Sequence, residues 1–167
     1  MVTKDFLSEY QFHTLQKMIV WNNECSFYLN ADVAQEKPDG PPWYWYGTHV
    51  VYYERALSPL YEHVIRVFAK PFGDIDLLQG KTITRIKINF YPYTSRVREH
   101  DVHTDKKYGT TAAIFGLNTC NGFTRVKGSG KIKSVANQLF IFDGLTDHNS
   151  STTSNAKGRF NINFNFI

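Results

Sequence analysis

Cysteine is scarce: the 167 residues contain two, Cys25 and Cys120, far apart and outside any CxxC spacing. A disulfide framework is therefore excluded, and a reducing, cytoplasmic setting is expected. No stretch approaches the ~20 consecutive apolar residues of a membrane span. The first ten residues, MVTKDFLSEY, lack an apolar core and carry acids early, so no signal peptide is expected there. Internal repeats and low-complexity segments are absent as well. What remains is a chain 42% hydrophobic and 16% aromatic, which is globular rather than disordered. It is long enough to bury a core, and one domain spanning 1–167 is expected.

The net charge of +4 conceals an asymmetry. Residues 1–80 hold six Lys/Arg against ten Asp/Glu, a balance of −4, whereas residues 81–167 hold thirteen against five, a balance of +8. A basic half suits an anionic small molecule, a nucleic acid, or simply a solvated face.

Hydrophobic period divides the chain at the same place. Asp5 to about Val20 reads as a helix, with Phe12, Leu15 and Ile19 on one side. Residues 22–42 are dense in Asn, Asp, Gly and Pro, as loops are. The aromatic and β-branched run 43–53 favours a strand. Ser58-Pro59 opens a second helix with the stripe Leu60, Val64, Val67 and Phe68, and Pro71 is expected to stop it. From residue 81 the period becomes two: Thr84, Ile86, Ile88 and Phe90 alternate with Arg85, Lys87, Asn89 and Tyr91. Further strands are expected within 110–118 and 137–142, with turns at Asn121-Gly122 and Gly128-Ser129-Gly130. The last strand alternates most cleanly, Phe160, Ile162, Phe164 and Phe166 against Arg159, Asn161, Asn163 and Asn165. Helices followed by a run of strands imply an α+β domain, mainly β, with an antiparallel sandwich or barrel. Residues 1–80 form the helical and loop support, and 81–167 the β core.

The chemistry concentrates in that second half. Of six histidines only His148 lies beyond residue 105, and His103-Thr104-Asp105 is a His-x-Asp pattern. In an extended chain i and i+2 project to the same side, so His103 and Asp105 can grip one metal ion. Two imidazoles and one carboxylate on one face of an octahedron leave positions open, the arrangement of non-haem Fe(II) oxygenases. Asp143-Gly144 signals a turn before His148, and Arg159 stands eleven residues after it, where its planar fork suits a carboxylate. A lone His-x-Asp is weak, and each of these residues taken alone is more often a surface pair, a cap or a rim charge. All four, in order at predicted strand ends, are not. His100 falls on the opposite face from His103 and is not expected to be a ligand. His13 and His63 sit in helical patterns, and His49 reads as a core histidine. The run from Trp43 to Tyr46 reads as core rather than as a substrate groove.

The strings INFYPYT (88–94), IFGLNTCNGFTRV (114–126), VANQLFIFDGLTDH (135–148) and KGRFNINFNF (157–166) resemble the 2-oxoglutarate/Fe(II) oxygenases. The likeness is greatest to short phage-encoded and prolyl-4-hydroxylase-like members. It covers about residues 81–167 and implies a double-stranded β-helix, or jelly roll, with N-terminal helices packed on it. It also implies that His103, Asp105 and His148 hold Fe(II), and that Arg159 pairs with the distal carboxylate of 2-oxoglutarate. A tyrosine upstream of the His-x-Asp commonly bonds that carboxylate; Tyr93 is the first choice, with Tyr91 and Asn89 next. Asn161 stands where many relatives have serine. The reaction implied consumes O2 and 2-oxoglutarate, releases succinate and CO2, and hydroxylates an unactivated C–H bond. The substrate expected first is a peptide or protein side chain, then a small molecule. A nucleobase oxygenase is the alternative, supported by the run from Asn89 to Tyr91 and the basic half. Such enzymes typically carry a second arginine six residues after the first, however, and position 165 is Asn. A non-enzymatic or zinc-bound jelly roll is the third reading. It lacks a convincing fourth ligand, Cys120 being the one downstream cysteine.

Overall fold

The computed structural model describes residues 1–167 except 22–24, 32 and 34–40. Much of the loop expected over 22–42 therefore lies outside the described residues. Two short elements open the chain, β1 (Val2–Thr3) and the helix α1 (Glu9–Gln16). α1 begins later than the periodicity suggests because Ser8 closes a capping box with Gln11. It continues as a π-helical turn over Lys17–Trp21, and Phe12, Leu15 and Ile19 are buried as expected. Then come β2 (Tyr28–Asn30), β3 (Tyr46–Tyr53), β4 (Arg55–Ala56) and α2 (Leu60–Gly73). The N-cap of α2 is Pro59 rather than Ser58, although Ser58 Oγ, one residue earlier, accepts from Leu60 N at 3.1 Å. Pro71 does not end it. The helix runs two residues further to Gly73, because packing of Phe72 on Phe68 and Phe164 outweighs the backbone bond the proline forfeits.

The remaining strands are β5 (Ile83–Pro92), β6 (Thr111–Gly116), β7 (Phe123–Val126), β8 (Gly130–Lys133), β9 (Leu139–Asp143), β10 (His148–Ser150) and β11 (Gly158–Phe166). The large sheet has the order β1-β9-β6-β11-β5-β3-β2, with β4 on β3, and the small sheet is β10-β7-β8. All named strand pairs are antiparallel. Isolated bridges Glu99↔Ser151 and His103↔His148 lay the His-x-Asp segment beside the small sheet. The architecture is the jelly roll with N-terminal helices on it. Four strands from the first 80 residues, β1 to β4, also join the large sheet.

The period-two pattern decides which face does what. Phe164 of β11 packs on Phe68 and Phe72 of α2, with ring centroids 4.8 and 4.9 Å apart, and Phe166 meets Phe72 at 5.5 Å. Ile86, Ile88 and Ile162 join the same core, fully buried. Removing this much apolar surface from water is what fixes the helices to the sheet. The opposite face of β5 and β11 is polar, yet it is buried too. Arg159, Asn161, Asn163 and Asn165 all lie below a tenth exposed. That face lines the space between the sheets. Among the described residues no helix is long and apolar enough to cross a membrane.

Candidate metal centre

Antiparallel register sets β5 against β11 so that Tyr91 faces Arg159, Asn89 faces Asn161, Lys87 faces Asn163 and Arg85 faces Asn165. Because side chains alternate, all eight point away from the helices, into a cavity between the sheets. His103, Asp105 and His148 lie on the wall of this cavity together with Arg85, Lys87, Asn89 and Tyr91. An adjoining lobe shares Ile114, Thr124 and Asn161 with it and reaches Arg159.

The sequence reading places the His-x-Asp on a strand end; the structure instead shows an extended segment paired at one point. His103 N donates to His148 O and His148 N donates to His103 O, both at 2.9 Å. This reciprocal pair sets the two imidazoles side by side, with ring centroids 4.5 Å apart. Asp105 then begins a turn: its N–H donates to Gly144 O at 2.8 Å, and its carbonyl accepts from Tyr108 N at 2.7 Å. The Asp143-Gly144 turn before His148 thus also supports the carboxylate ligand. One ligating atom from each of His103, Asp105 and His148 falls within 4.8 Å of the others.

The side chains around this group suit a metal ion. His148 Nδ1 lies 2.8 Å from Thr146 O, so Nδ1 carries the proton and Nε2 keeps its lone pair for a ligand. Burial and then the neighbouring His148 hold His103 below its usual pKa, in the neutral form that ligates. For Asp105, burial acts upward but is outweighed by Arg85, the Asn165 amide and the two imidazoles, so the carboxyl stays ionised. Arg85 Nη2 sits 3.5 Å from Asp105 Oδ1, and Asn165 Nδ2 donates to Asp105 Oδ2 at 2.8 Å. Arg85 Nε donates to Asn165 Oδ1 at 2.9 Å, closing a triangle, while its guanidinium lies flat 3.4 Å over the Tyr108 ring. Burial and then Arg85 push the Lys87 ammonium down to about 7.

Arg159 is buried and has three donors engaged. Nη1 donates to Phe123 O at 2.8 Å and to Ser151 O at 3.3 Å, and Nη2 donates to Thr124 Oγ1 at 2.7 Å. Nε has no partner. A guanidinium carries five N–H donors, so Nε and one hydrogen of Nη2 stay free along one edge. Tyr91 lies against it, with the guanidinium carbon 5.2 Å from the ring centroid. Gly122 makes this packing possible, because a Cβ there would fall 2.8 Å from Arg159 Cδ.

Of the other expected site residues, Asn89 and Asn161 line the cavity and bond each other at 3.0 Å. Tyr91 is buried on its wall, whereas Tyr93 is 56% exposed and does not line it. β5 ends at Pro92, so the alternation that carries Tyr91 inward does not extend to Tyr93. His100 is not in the metal group: it stacks on Tyr91 at 5.4 Å and shares a hydrogen bond with Ser150 Oγ at 2.9 Å. His49 is held by Ser58 Oγ and Ser26 O. Arg85, Lys87, Asn163 and Asn165 were not expected at the site. The signal was their alternation with Ile86, Ile88, Ile162 and Phe164, which puts them on the same face as Asn89 and Arg159.

Comparisons with protein-family models and with curated proteins find no match. Solved structures do share the fold. A 2OG-Fe(II) oxygenase family oxidoreductase from Burkholderia pseudomallei superposes with a TM-score of 0.70 at 12% identity, covering 98% of this chain and 82% of that one. A prolyl hydroxylase from Trichoplax adhaerens, solved with a hypoxia inducible factor peptide, gives 0.66 at 11%, covering 100% and 82%. A Pseudomonas putida prolyl-4-hydroxylase gives 0.63 at 14%, covering 99% and 90%. At these identities the fold is what is shared.

Proposed function

We propose that this chain is an Fe(II)- and 2-oxoglutarate-dependent oxygenase that hydroxylates an unactivated C–H bond, foremost on a peptide or protein side chain. The observation that carries the reading is the convergence of His103, Asp105 and His148 on the wall of a cavity whose adjoining lobe reaches a buried arginine with unused donors. Two imidazoles and a carboxylate match the ligand set of such oxygenases. Among the described residues no fourth protein ligand joins them, which suits an open catalytic position better than a closed structural zinc site. Iron and 2-oxoglutarate, when bound, supply the activation of O2. The protein's own part is orientation. Arg85 and Asn165 aim the Asp105 carboxylate, and Thr146 fixes the His148 tautomer. The free edge of Arg159, with Tyr91 beside it, takes the distal carboxylate of the cosubstrate, and Asn89 and Asn161 line the path between.

The peptide preference rests on the two prolyl hydroxylases among the structures of this fold. The test is an assay for succinate formed from 2-oxoglutarate with Fe(II), without substrate and then with peptides and oligonucleotides. Fe(II)-dependent succinate that peptides stimulate is expected. Absence of any 2-oxoglutarate turnover overturns the oxygenase reading, and stimulation by oligonucleotides alone replaces the substrate.

A further inference from the structure

We propose that Lys87 heads an anion site inside the metal cavity, and that it receives a carboxylate of the primary substrate. The inference names the substrate class for the oxygenase reading and rests on that reading. Three cations stand on the inward rows of β5 and β11, and they are engaged differently. Arg85 is committed to Asp105 and Asn165 and covered by Tyr108. Arg159 has given three donors to Phe123, Ser151 and Thr124. Lys87, among the described residues, makes no hydrogen bond or ion pair; its Nζ has the Tyr46 ring as a neighbour, 5.4 Å from the centroid. Protonated, Lys87 brings three donors and a full charge. Without an acceptor that charge is costly in the cavity, which is why burial pushes its pKa down to about 7, and a bound anion restores the charged form. Among the described residues the one carboxylate on the cavity wall is Asp105, which belongs to the metal group and already has its own cation. No described residue supplies Lys87 with an acceptor, so its ammonium is open to a ligand.

Its chemistry follows from charge and position. One uncompensated ammonium matches a carboxylate, whereas a phosphate dianion would leave a buried charge unpaired. The cosubstrate's distal carboxylate is a poor candidate. Lys87 faces Asn163, four residues along β11 from Arg159, or about 13 Å of strand. Lys87 shares its wall with His103 and Asp105, so an acid bound there presents its carbon chain beside the metal centre. Tyr46, stacked on Tyr91 at 5.8 Å, supplies an apolar flank for that chain.

The test uses the whole protein loaded with Fe(II) and saturating 2-oxoglutarate, with succinate as the readout. The probes are capped aspartyl and glutamyl peptides and small aliphatic carboxylic acids, each beside its amide isostere. Acids are expected to raise turnover over the substrate-free rate at least tenfold more than their amides do. In Lys87→Met that stimulation, divided by the variant's own substrate-free rate, is expected to fall tenfold or more, and Lys87→Arg restores part of it. Calorimetry of 2-oxoglutarate on Ni(II)-loaded Lys87→Met and Arg159→Ala separates the sources of the carboxylate. A loss in Lys87→Met as large as in Arg159→Ala assigns Lys87 to the cosubstrate and overturns the proposal. Equal stimulation by acids and amides, or none by any acid while substrate-free turnover persists, overturns it and leaves the oxygenase reading intact. No 2-oxoglutarate turnover at all sinks both.

Discussion

Asn165 donates from Nδ2 to Asp105 Oδ2 at 2.8 Å across sixty residues of sequence. With Arg85 on the other oxygen, the amide fixes which way the carboxylate presents its free lone pairs. Groups that orient a metal ligand in this way are worth about ten- to a hundredfold in metal affinity. Asn165→Ala and Arg85→Met are each expected to weaken Ni(II) or Fe(II) binding by that order, measured by calorimetry under anaerobic conditions. Unchanged affinity in both would mean that the turn at Tyr108 and Gly109 alone aims Asp105.

Replacing the ligands themselves is harsher. His103→Ala, Asp105→Ala and His148→Ala are each expected to abolish Fe(II)-dependent turnover of 2-oxoglutarate with near-native circular dichroism. His100→Gln should retain metal, since the His100 ring stacks on Tyr91 and bonds Ser150 outside the metal group. Full turnover in the His148 variant, or iron loss in the His100 variant equal to that of His103→Ala, would redraw the ligand set.

The metal group was legible because its signals are local: a two-residue spacing, a turn before a histidine, an arginine opening a strand. Strand existence was legible from period two for the same reason. The cation row was not read as a site, because Arg85 and Lys87 acquire their meaning from register with Asn165 and Asn163, some eighty residues away. Nothing local marks a cavity-facing lysine as different from a solvated one. Tyr93, the first choice from the resemblance, lies beyond Pro92, where pairing with β11 ends, and is exposed. The end of α2 was misplaced by giving Pro71 a local veto that tertiary packing of Phe72 on Phe164 overrides.

Six of the thirteen cations of the second half are turned inward or paired. Arg85, Lys87 and Arg159 face the space between the sheets, Arg125 and Lys131 hold Glu99 at 2.7 and 3.4 Å, and Lys127 holds Asp147 at 3.2 Å. Weak nucleic-acid binding is therefore expected at physiological salt. A steep fall of DNA or RNA affinity with salt, the mark of several phosphate contacts, would show otherwise.

Stability should depend on His100. Burial and then Arg159 push its pKa down from 6.5 to about 4, so the folded state holds it neutral. Below pH 6.5 the unfolded chain takes up a proton that the folded chain resists until about pH 4, and stability is lost as pH falls through that window. The loss is on the order of 3 kcal/mol across it. Urea unfolding at pH 7 and pH 4.5 is expected to show the drop in the wild type and a smaller one in His100→Gln. An equal drop in both would place the acid sensitivity elsewhere.

Arg159 is expected to set cosubstrate affinity and leave metal affinity nearly alone. Its free edge offers Nε and one Nη2 hydrogen to a carboxylate, a charge-assisted contact worth roughly 1.5–3 kcal/mol. Arg159→Ala should therefore raise the dissociation constant for 2-oxoglutarate about ten- to a hundredfold. It should also cost stability, because the carbonyls of Phe123 and Ser151 lose a buried donor. Arg159→Lys keeps the charge without the fork and should recover only part of the affinity. Gly122→Ala separates position from chemistry. It leaves the guanidinium intact but sets a methyl 2.8 Å from Arg159 Cδ and as close to Thr152 O, so the arginine must shift. A weaker 2-oxoglutarate affinity in Gly122→Ala, smaller than the Arg159→Ala loss and with Ni(II) affinity retained, is the expected result by calorimetry. Wild-type cosubstrate affinity in Arg159→Ala would remove this residue from the site, and the 2-oxoglutarate reading would lose its anchor.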